Sequence, residues 1–291
     1  MSDKTLSLSD AIERYVPDGV GTVAVGGMHL HNNPMGLVRE LIRQHRPVDR
    51  LLTSPCGAMN ADLLIAAGLV REIATSYVGF EHLGLAPAFR RLVESGSVRV
   101  LECDEAYITH GLTAGAGGLP FVALPVGLEI SDVAKVNPES YRVVDDPFTG
   151  QSVLAGAPIR PDVALLHAAE ADASGNAVLA GAHFVDRLMA LAARTVVLQV
   201  ERVVPTETIG AHPVGTTLPG FIVQAVVELP GGCHPTASHG NYRYDEDHLR
   251  TYLALAATDQ GAKTYIEDYV TQTSEDVYLS TMQLSREHAD R

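Results

Sequence analysis

The sequence predicts an α/β fold in three layers, α/β/α, around a mainly parallel sheet. Short β-rich runs alternate with segments of helical period over most of the 291 residues, which is the pattern of strands joined by crossover helices. An apolar fraction of 46% with 19% charged residues suits a well-buried core. We expect one domain over residues 1–291, with long loop excursions near 136–161 and 205–240, where Pro and Gly are frequent.

The first predicted element is the apolar run GTVAVGG at 21–27, a buried strand that ends in a glycine turn. Asn33 and Pro34 then supply an N-cap and a first-turn proline for a helix that continues through Ile42. The same cycle recurs along the chain. It predicts strands at 49–55, 71–79, 97–103, 121–127, 162–168, 175–181 and 195–204, and helices at 60–68, 86–96, about 184–193 and 244–260.

Charge argues against two classes of partner. The chain has 35 acidic and 21 basic residues, a formal net charge of −14, so phosphate backbones and anionic lipid surfaces repel it. We therefore expect no nucleic acid and no membrane as partners. The N-terminal MSDKTLSLSD lacks the basic-then-apolar layout of a signal peptide, which favours the cytoplasm.

Cysteine usage agrees with a reducing compartment. Cys56, Cys103 and Cys233 are odd in number, far apart and without a Cys-x-x-Cys pair. Neither a disulfide framework nor a thiolate metal site is indicated by that pattern. The cytoplasm is again the expected location.

Two adjacent carboxylates lie at the expected binding edge of the sheet. In a parallel α/β sheet, ligands bind outside the carboxyl ends of the strands, and Asp104 and Glu105 directly follow the predicted strand 97–103. One interpretation is structural, since Asp is a favoured N-cap and a first-turn Glu stabilises the helix dipole. The other gives Asp104 the cap and makes Glu105 a general base, partly desolvated beside Ala106 and Tyr107.

Glycines in two loops are candidates for binding a substrate oxyanion. Gly117 and Gly118 end a cluster whose backbone N–H groups can approach a developing negative charge, although a flexible turn explains the cluster equally well. Gly26 and Gly27 carry the same ambiguity. There the helix that follows points its positive dipole end into the loop, which favours an anionic or carbonyl group.

His29, Asn32, Tyr77 and Glu81 complete the candidate substrate-binding set. His29 and His31 alternate in HLHNNP, a spacing that can place both on one side of an extended loop. Metal ligation needs a third ligand that the sequence does not identify, so no metal site is predicted. Tyr77 and Glu81 lie in YVGFE, which can line the same edge, and a locally satisfied loop pair is the alternative.

Absent motifs exclude three familiar functions. No G-x-G-x-x-G opens the first βα unit, no G-x-x-x-x-G-K-[ST] occurs, and no G-x-S-x-G elbow is present. Dinucleotide binding, P-loop phosphate binding and serine hydrolysis are therefore not predicted.

A set of ordered motifs carries a family resemblance between about residues 5 and 260. The motifs are DGVGTVAVGGMHLHNNPMGLVREL, SPCGAMNADLLIAAGLVREI, SYVGFE, GAGGLPF, DVALLHAAEADASGN and ELPGGCHP. Together they resemble the α subunit of class I coenzyme A transferases, nearest the glutaconate type, and an ordered set is far more specific than one motif. The resemblance implies the three-layer fold, coenzyme A (CoA) as part of the substrate, no permanently bound cofactor, and a β subunit in an α₂β₂ heterotetramer.

Within this family the sequence most resembles the α subunits of cholesterol ring-cleaving hydrolases. That resemblance implies opening of the last steroid-derived ring of a cyclohexenone carboxyl-CoA, with Glu105 matching the proposed base. Family transferases instead form a thioester on a β-subunit glutamate within Ser-Glu-Asn-Gly, a tetrapeptide that an α chain is expected to lack and that this chain lacks. The alternatives are a glutaconate or 3-oxoadipate CoA transferase and a non-enzymatic metabolite-sensing domain.

Overall fold

The structure is a computed structural model that describes residues 2–282. Strands and helices alternate along most of the chain, as the sequence pattern predicts. The strands are β1 (Val20–Val25), β2 (Val48–Thr53), β3 (Cys56–Gly57), β4 (Val70–Thr75), β5 (Tyr77–Val78), β6 (Arg99–Glu102), β7 (Val122–Ala123), β8 (Tyr141–Asp145), β9 (Ser152–Gly156), β10 (Val163–Ala171), β11 (Ala177–Val178), β12 (Thr195–Val203) and β13 (Ala225–Glu228). The helices are α1 (Leu8–Tyr15), α2 (Met35–Arg43), α3 (Met59–Ala66), α4 (Pro87–Glu94), α5 (Glu105–Ala116), α6 (Val133–Val136), α7 (Asp186–Ala192), α8 (Thr206–Ala211), α9 (Glu246–Ala256), α10 (Asp259–Ile266) and α11 (Glu275–Thr281).

The main sheet has the strand order β13-β12-β10-β1-β2-β4-β6, and every neighbouring pair on this path is parallel. Only β11, which pairs with β10, runs antiparallel within it. The chain winds outward in one direction from β1 through β6 and in the other from β10 through β13. The switch point therefore lies between β1 and β10, and loops at the carboxyl ends of these strands border a crevice suited to ligands.

Helices cover one face of the sheet, and the other face is covered by helices together with a small second sheet. Side chains alternate along β1, so that Val23 and Val25 join the core beneath α2 and α3 while Ala24 joins the core beneath α5 and α7. Both cores are lined by fully buried aliphatic side chains. This arrangement confirms the predicted three-layer α/β/α fold with a mainly parallel sheet.

Some segments fold differently from the sequence prediction. Within 136–161, β8 and β9 form an antiparallel hairpin, and β9 pairs with β7 in the small sheet. Within 205–240, β13 forms an edge strand of the main sheet. The strand predicted at 121–127 shortens to β7, because Pro125 lacks an N–H and Gly127 turns the chain at φ +102°.

Two helix boundaries also differ. The side chain of Asn33 does not cap α2, because its amide donates to the carbonyl of His29 at 2.7 Å and the helix begins two residues later at Met35. The helix predicted at 244–260 is divided into α9 and α10 by Thr258, whose hydroxyl accepts from Gly261 N at 3.1 Å as a new N-cap. Between residues 2 and 282, no helix has both the length and the apolar character needed to cross a bilayer.

Candidate functional site

Glu105 is the first residue of α5 and lies just beyond the end of β6. Asp104 is the N-cap of this helix, and its carboxylate accepts from Ala106 N at 2.8 Å, which confirms the predicted capping role. The Glu105 side chain is therefore not needed to cap the helix. It is exposed rather than partly desolvated, because a first-turn side chain projects past the strand ends. Among residues 2–282 it has no ion-pair partner.

Cys56 brings a thiol to the same place from the neighbouring loop. It follows β2 and forms β3, which pairs in parallel with β5 so that Cys56 lies opposite Tyr77. Its Sγ is 4.0 Å from Glu105 Oε1. Burial, together with the Glu105 and Glu81 carboxylates, raises the pKa of the Cys56 thiol. A raised pKa keeps the sulfur protonated, which makes it a weak donor rather than a nucleophile.

His29 and Glu81 meet above the ends of β1 and β5. His29 Nδ1 lies 2.5 Å from Glu81 Oε1, although the oxygen is out of line for a hydrogen bond. Both residues adopt positive φ angles, +49° and +56°, so each loop turns its side chain away from the path of its strand. The ring of Tyr77 meets that of His29 edge-on with 6.1 Å between centroids. Tyr77 is itself 36% exposed.

Five side chains thus gather at the carboxyl ends of β1, β2, β4 and β6, and we call them the mouth cluster: His29, Cys56, Tyr77, Glu81 and Glu105. His31 borders the cluster. Partial desolvation and the neighbouring His29 lower the pKa of His31, while Glu81 acts in the opposite direction. The sequence placed four of these five residues at this edge, and Cys56 was missed as a member because its loop gave no signal beyond its position.

Gly26 and Gly27 lie at the end of β1, but their N–H groups are already engaged. Gly26 N donates to Leu165 O at 2.9 Å, and Gly27 N donates to both carboxylate oxygens of Asp186 at 3.0 and 3.1 Å. Asp186 is fully buried. An oxyanion would have to displace these acceptors, so the predicted oxyanion role of the two glycines needs correction. Gly27, at φ +92°, serves the turn that leads out of the strand.

Asn32 holds loops together. Its amide group donates to Ala180 O at 3.2 Å and Ala182 O at 3.0 Å, and its side-chain oxygen accepts from His239 N at 3.1 Å. The residue is 1% exposed. With its hydrogen-bonding groups used inside the protein, Asn32 is a structural clamp, and its predicted place in the substrate-binding set is corrected accordingly.

Gly117 and Gly118 lie at the opposite end of α5 from Glu105. Twelve residues of helix separate Gly117 from Glu105 by roughly 18 Å at 1.5 Å per residue. The N–H of Gly117 donates to Thr113 O at 2.9 Å, as part of the helix end. The predicted oxyanion role of this pair therefore needs correction as well. The preceding Gly115 has a packing role, because a Cβ there would collide with the carbonyl of Ile159.

A second cluster of titratable groups was not found by sequence reasoning. His167, Glu201 and Cys233 are buried, and three potential ligand atoms lie within 4.8 Å of one another. These atoms already have hydrogen-bond partners, which are Ser238 Oγ for His167, Tyr242 OH and Gly231 N for Glu201, and Gln199 Nε2 for Cys233. We call His167, Gln199, Glu201, Cys233, Ser238 and Tyr242 the buried network. Its satisfied donors and acceptors describe a polar core better than a metal site.

A cavity of about 340 Å³ lies away from the mouth cluster. It is enclosed by the α5 side of the sheet and the 157–160 segment, with Arg50, Tyr107 and Arg160 among its lining residues. No member of the mouth cluster lines it. The chemistry of the exposed carboxylates, rather than cavity volume, therefore locates the candidate site.

The mouth cluster is suited to acid–base chemistry. Glu105 offers a carboxylate without a cationic partner in the described chain, which can accept a proton from water. The Tyr77 hydroxyl and the Cys56 thiol are neutral donors beside it. Such a set can transfer protons and stabilise a developing negative charge.

Comparison with known proteins gives the family. The family model described as "Coenzyme A transferase" matches residues 5–229. The first of the two subunits of 3-oxoadipate CoA-transferase from Pseudomonas knackmussii is 35% identical, with 93% of this chain and 94% of that protein covered. The cholesterol ring-cleaving hydrolase IpdA subunit of Rhodococcus jostii is 31% identical, with 99% and 98% covered. A protein of Archaeoglobus fulgidus is 37% identical, and the match covers 93% of this chain but 60% of that longer protein.

The fold agrees with the sequence relatives. Glutaconate CoA-transferase of Acidaminococcus fermentans superposes with a TM-score of 0.89 at 28% identity, covering 97% of this chain and 94% of that one. Several of the relatives are named as subunits of their enzymes. On sequence and fold together, the chain belongs to the coenzyme A transferase family, whose enzymes act on CoA thioesters.

Proposed function

We propose that the chain is the α subunit of a heteromeric hydrolase that opens the last steroid-derived ring of a cyclohexenone carboxyl-CoA in cholesterol breakdown. The observation that carries this proposal is Glu105, an exposed carboxylate at the strand ends without an ion-pair partner in residues 2–282. A hydrolase of this kind needs a base to activate water. The ring-cleaving relative of Rhodococcus jostii, aligned over 99% of this chain, supports the choice of substrate.

The reaction has a balanced sequence of proton and bond changes. Glu105 takes a proton from water, and the resulting hydroxide adds to the ring ketone to give a tetrahedral alkoxide. The alkoxide collapses to a carboxylic acid as the adjacent carbon–carbon bond breaks, and the electron pair of that bond passes to carbon as an enolate. The proton held by Glu105 then neutralises the enolate, so the residue begins and ends as a carboxylate.

Negative charge on the alkoxide needs a donor other than the glycines. Tyr77 supplies a hydroxyl at the mouth cluster and is 36% exposed, so a substrate can reach it. His29 lies beside Tyr77 and is held near Glu81. We assign the Tyr77 hydroxyl as the oxyanion donor and His29 as a lining residue.

A companion subunit completes the proposed site. Glu105 is exposed in this chain, and a water-excluding environment strengthens both proton transfer and charge stabilisation. A second chain that covers the strand ends would provide that environment and much of the CoA contact. An α₂β₂ assembly, with CoA entering only as part of the substrate, fits the subunit names of the relatives.

The second candidate function is CoA transfer between carboxylates such as 3-oxoadipate or glutaconate. Its support is the 35% identity to the 3-oxoadipate transferase and the TM-score of 0.89 to the glutaconate enzyme. In that function Glu105 lines the acyl pocket, and the companion subunit carries the reacting glutamate. The metabolite-sensing alternative has no comparable support, because the matched family consists of enzymes.

The experiment that separates the two functions assays one preparation for both reactions. The chain is purified together with its companion subunit, then incubated with cyclohexenone carboxyl-CoA and, in parallel, with acyl-CoA and a free dicarboxylate. The proposal expects ring opening without CoA exchange and no hydroxylamine-sensitive thioester on the protein. CoA exchange with a trapped protein thioester would instead establish the transferase function.

A further inference from the structure

The contact between Cys56 and Glu105 joins two loops of the mouth cluster. Cys56 Sγ lies 4.0 Å from Glu105 Oε1, within reach of the long hydrogen bonds that sulfur forms. No other hydrogen bond to the Glu105 side chain is present among residues 2–282. A first-turn glutamate has three rotatable bonds, so this one contact decides where its carboxylate rests.

The position of Cys56 is fixed by its backbone. Its carbonyl accepts from His29 N at 3.0 Å, which ties the loop after β2 to the loop after β1. Its strand β3 pairs with β5. At the base of both loops, Thr53 Oγ1 donates to Thr75 Oγ1 at 2.9 Å. The sulfur is therefore held on a firm frame, whereas the carboxylate that it meets is not.

The charges around Cys56 decide its chemical state. The carboxylates of Glu105, from α5, and Glu81, from the loop after β5, both face the thiol, and the His29 and Tyr77 side chains border the same space. Two carboxylates and partial burial disfavour a thiolate, and the pKa of Cys56 is raised. The sulfur thus carries its proton and presents it to an acceptor.

We propose that Cys56 is a positioning residue for Glu105, whose Oε1 accepts a hydrogen bond from the Cys56 S–H and is thereby held over the ends of β2 and β6. The inference rests on the proposed function of Glu105 as the base. Cys56 does not attack the substrate in this account. Its effect on the reaction is transmitted through the orientation of the carboxylate.

The contact is tested without any substrate by alkylation of the thiol. Iodoacetamide labelling of Cys56 is followed from about pH 7 to pH 10 in the full chain, in Glu105→Gln and in Glu94→Gln, an exposed carboxylate on α4 that serves as control. Cys103 and Cys233 are buried, and Cys56→Ala gives the background rate. We expect Glu105→Gln to speed labelling near pH 8 by about threefold and to lower its pH midpoint, since a neutral amide no longer disfavours the thiolate. Glu94→Gln should label like the unaltered chain.

Identical labelling profiles for the unaltered chain and Glu105→Gln would overturn the contact. So would a thiol that stays unreactive in every variant, because the structure leaves Cys56 partly exposed. Neither result depends on which reaction the enzyme performs. A shifted profile in a preparation that exchanges CoA instead of opening the ring would refute the proposed function and leave the contact standing.

Steady-state kinetics of the two-subunit complex test the positioning role. Cys56→Ser retains a donor and should keep kcat within about twofold, while Cys56→Ala should lower kcat by about five- to tenfold with KM little changed. The acid limb of the pH–rate profile should move in Cys56→Ala and be retained in Cys56→Ser. Equal kcat and equal profiles in Cys56→Ala and the unaltered enzyme would contradict the role.

Discussion

Two clusters of similar composition lie at the carboxyl ends of the same sheet and are treated differently by the fold. The mouth cluster and the buried network both contain His, Cys, Glu and Tyr side chains. In the mouth cluster, Glu105 is exposed and Tyr77 is 36% exposed. In the buried network, His167 is fully buried and Glu201 is 4% exposed, and both have hydrogen-bond partners within the chain.

The difference teaches how to read a group of reactive residue types. Burial raises the pKa of Glu201 and lowers that of His167 to about 3, so both are neutral forms locked in a network. A proton that moves there has nowhere to go. The mouth cluster keeps unused hydrogen-bonding capacity facing solvent, which is what a substrate needs. We therefore expect mutations in the mouth cluster to change activity and mutations in the buried network to change stability.

The largest expected effect is on activity at the mouth cluster. Glu105→Gln should lower kcat of the complex by about 10²- to 10⁴-fold, because the amide cannot take a proton from water. The melting temperature should be unchanged, since the side chain is exposed and Asp104 retains the cap. Glu94→Gln is the matched control. Near-normal turnover in Glu105→Gln would remove Glu105 from the mechanism.

Tyr242→Phe should give the next largest effect, on stability. The Tyr242 hydroxyl donates to Glu201 Oε1 at 2.8 Å and accepts from Cys233 N at 2.9 Å, so its removal leaves two buried groups without a partner. We expect the free energy of unfolding to fall by about 3 kcal/mol in urea titrations. Tyr15→Phe, a partly exposed site, should change it little. A stable Tyr242→Phe with lost activity would reverse the roles of the two clusters.

The pH dependence of stability follows from the buried imidazole. The pKa of His167 is lowered to about 3 in the folded state, below its usual 6.5, so the unfolded chain binds one more proton between these values. The resulting stability is complete above about pH 6.5 and is lost by about 1.4 kcal/mol per pH unit as the pH falls, or about 2 kcal/mol by pH 5. Unfolding of His167→Gln measured across this range should show a shallower slope. An unchanged slope would contradict the assignment.

The smallest expected effect is at the far end of α5. Gly117→Ala should leave kcat and KM unchanged, because Gly117 lies roughly 18 Å from Glu105 along the helix and its N–H is bonded within it. A Cβ there meets Thr113 O at 3.3 Å, a tight but tolerable approach at φ −82°. Steady-state kinetics provide the check. A large loss of kcat would revive the oxyanion role that the structure argues against.

The fold was largely predictable because its signals are local. Alternation of apolar strands with helical segments predicted the parallel sheet, and a rule spanning a few residues predicted the Asp104 cap. The strand β13 was missed because four residues within a stretch rich in Pro and Gly give too short a pattern. The extent of α5 was missed because glycines such as Gly115 are unfavourable in helices and are retained there for close packing against Ile159.

The site was less predictable because its decisive contacts are remote in sequence. Gly27 looked free to bind an oxyanion, and the residue that occupies its N–H, Asp186, is 159 positions away. Glu105 and Cys56 are 49 positions apart, and only the parallel order of β2, β4 and β6 brings their loops together. Sequence patterns place residues at an edge of the sheet. They do not reveal which hydrogen bonds are already made there.

The central claim is that the mouth cluster directs water onto a carbon atom of the ring. The most direct measurement incubates the purified two-subunit complex with cyclohexenone carboxyl-CoA in ¹⁸O-labelled water and determines the mass of the product. The account predicts a ring-opened acyl-CoA with its thioester intact and a single ¹⁸O in the new carboxyl group, and loss of that product in Glu105→Gln. An intact ring, with CoA moved to another carboxylate or released from the thioester, would contradict it.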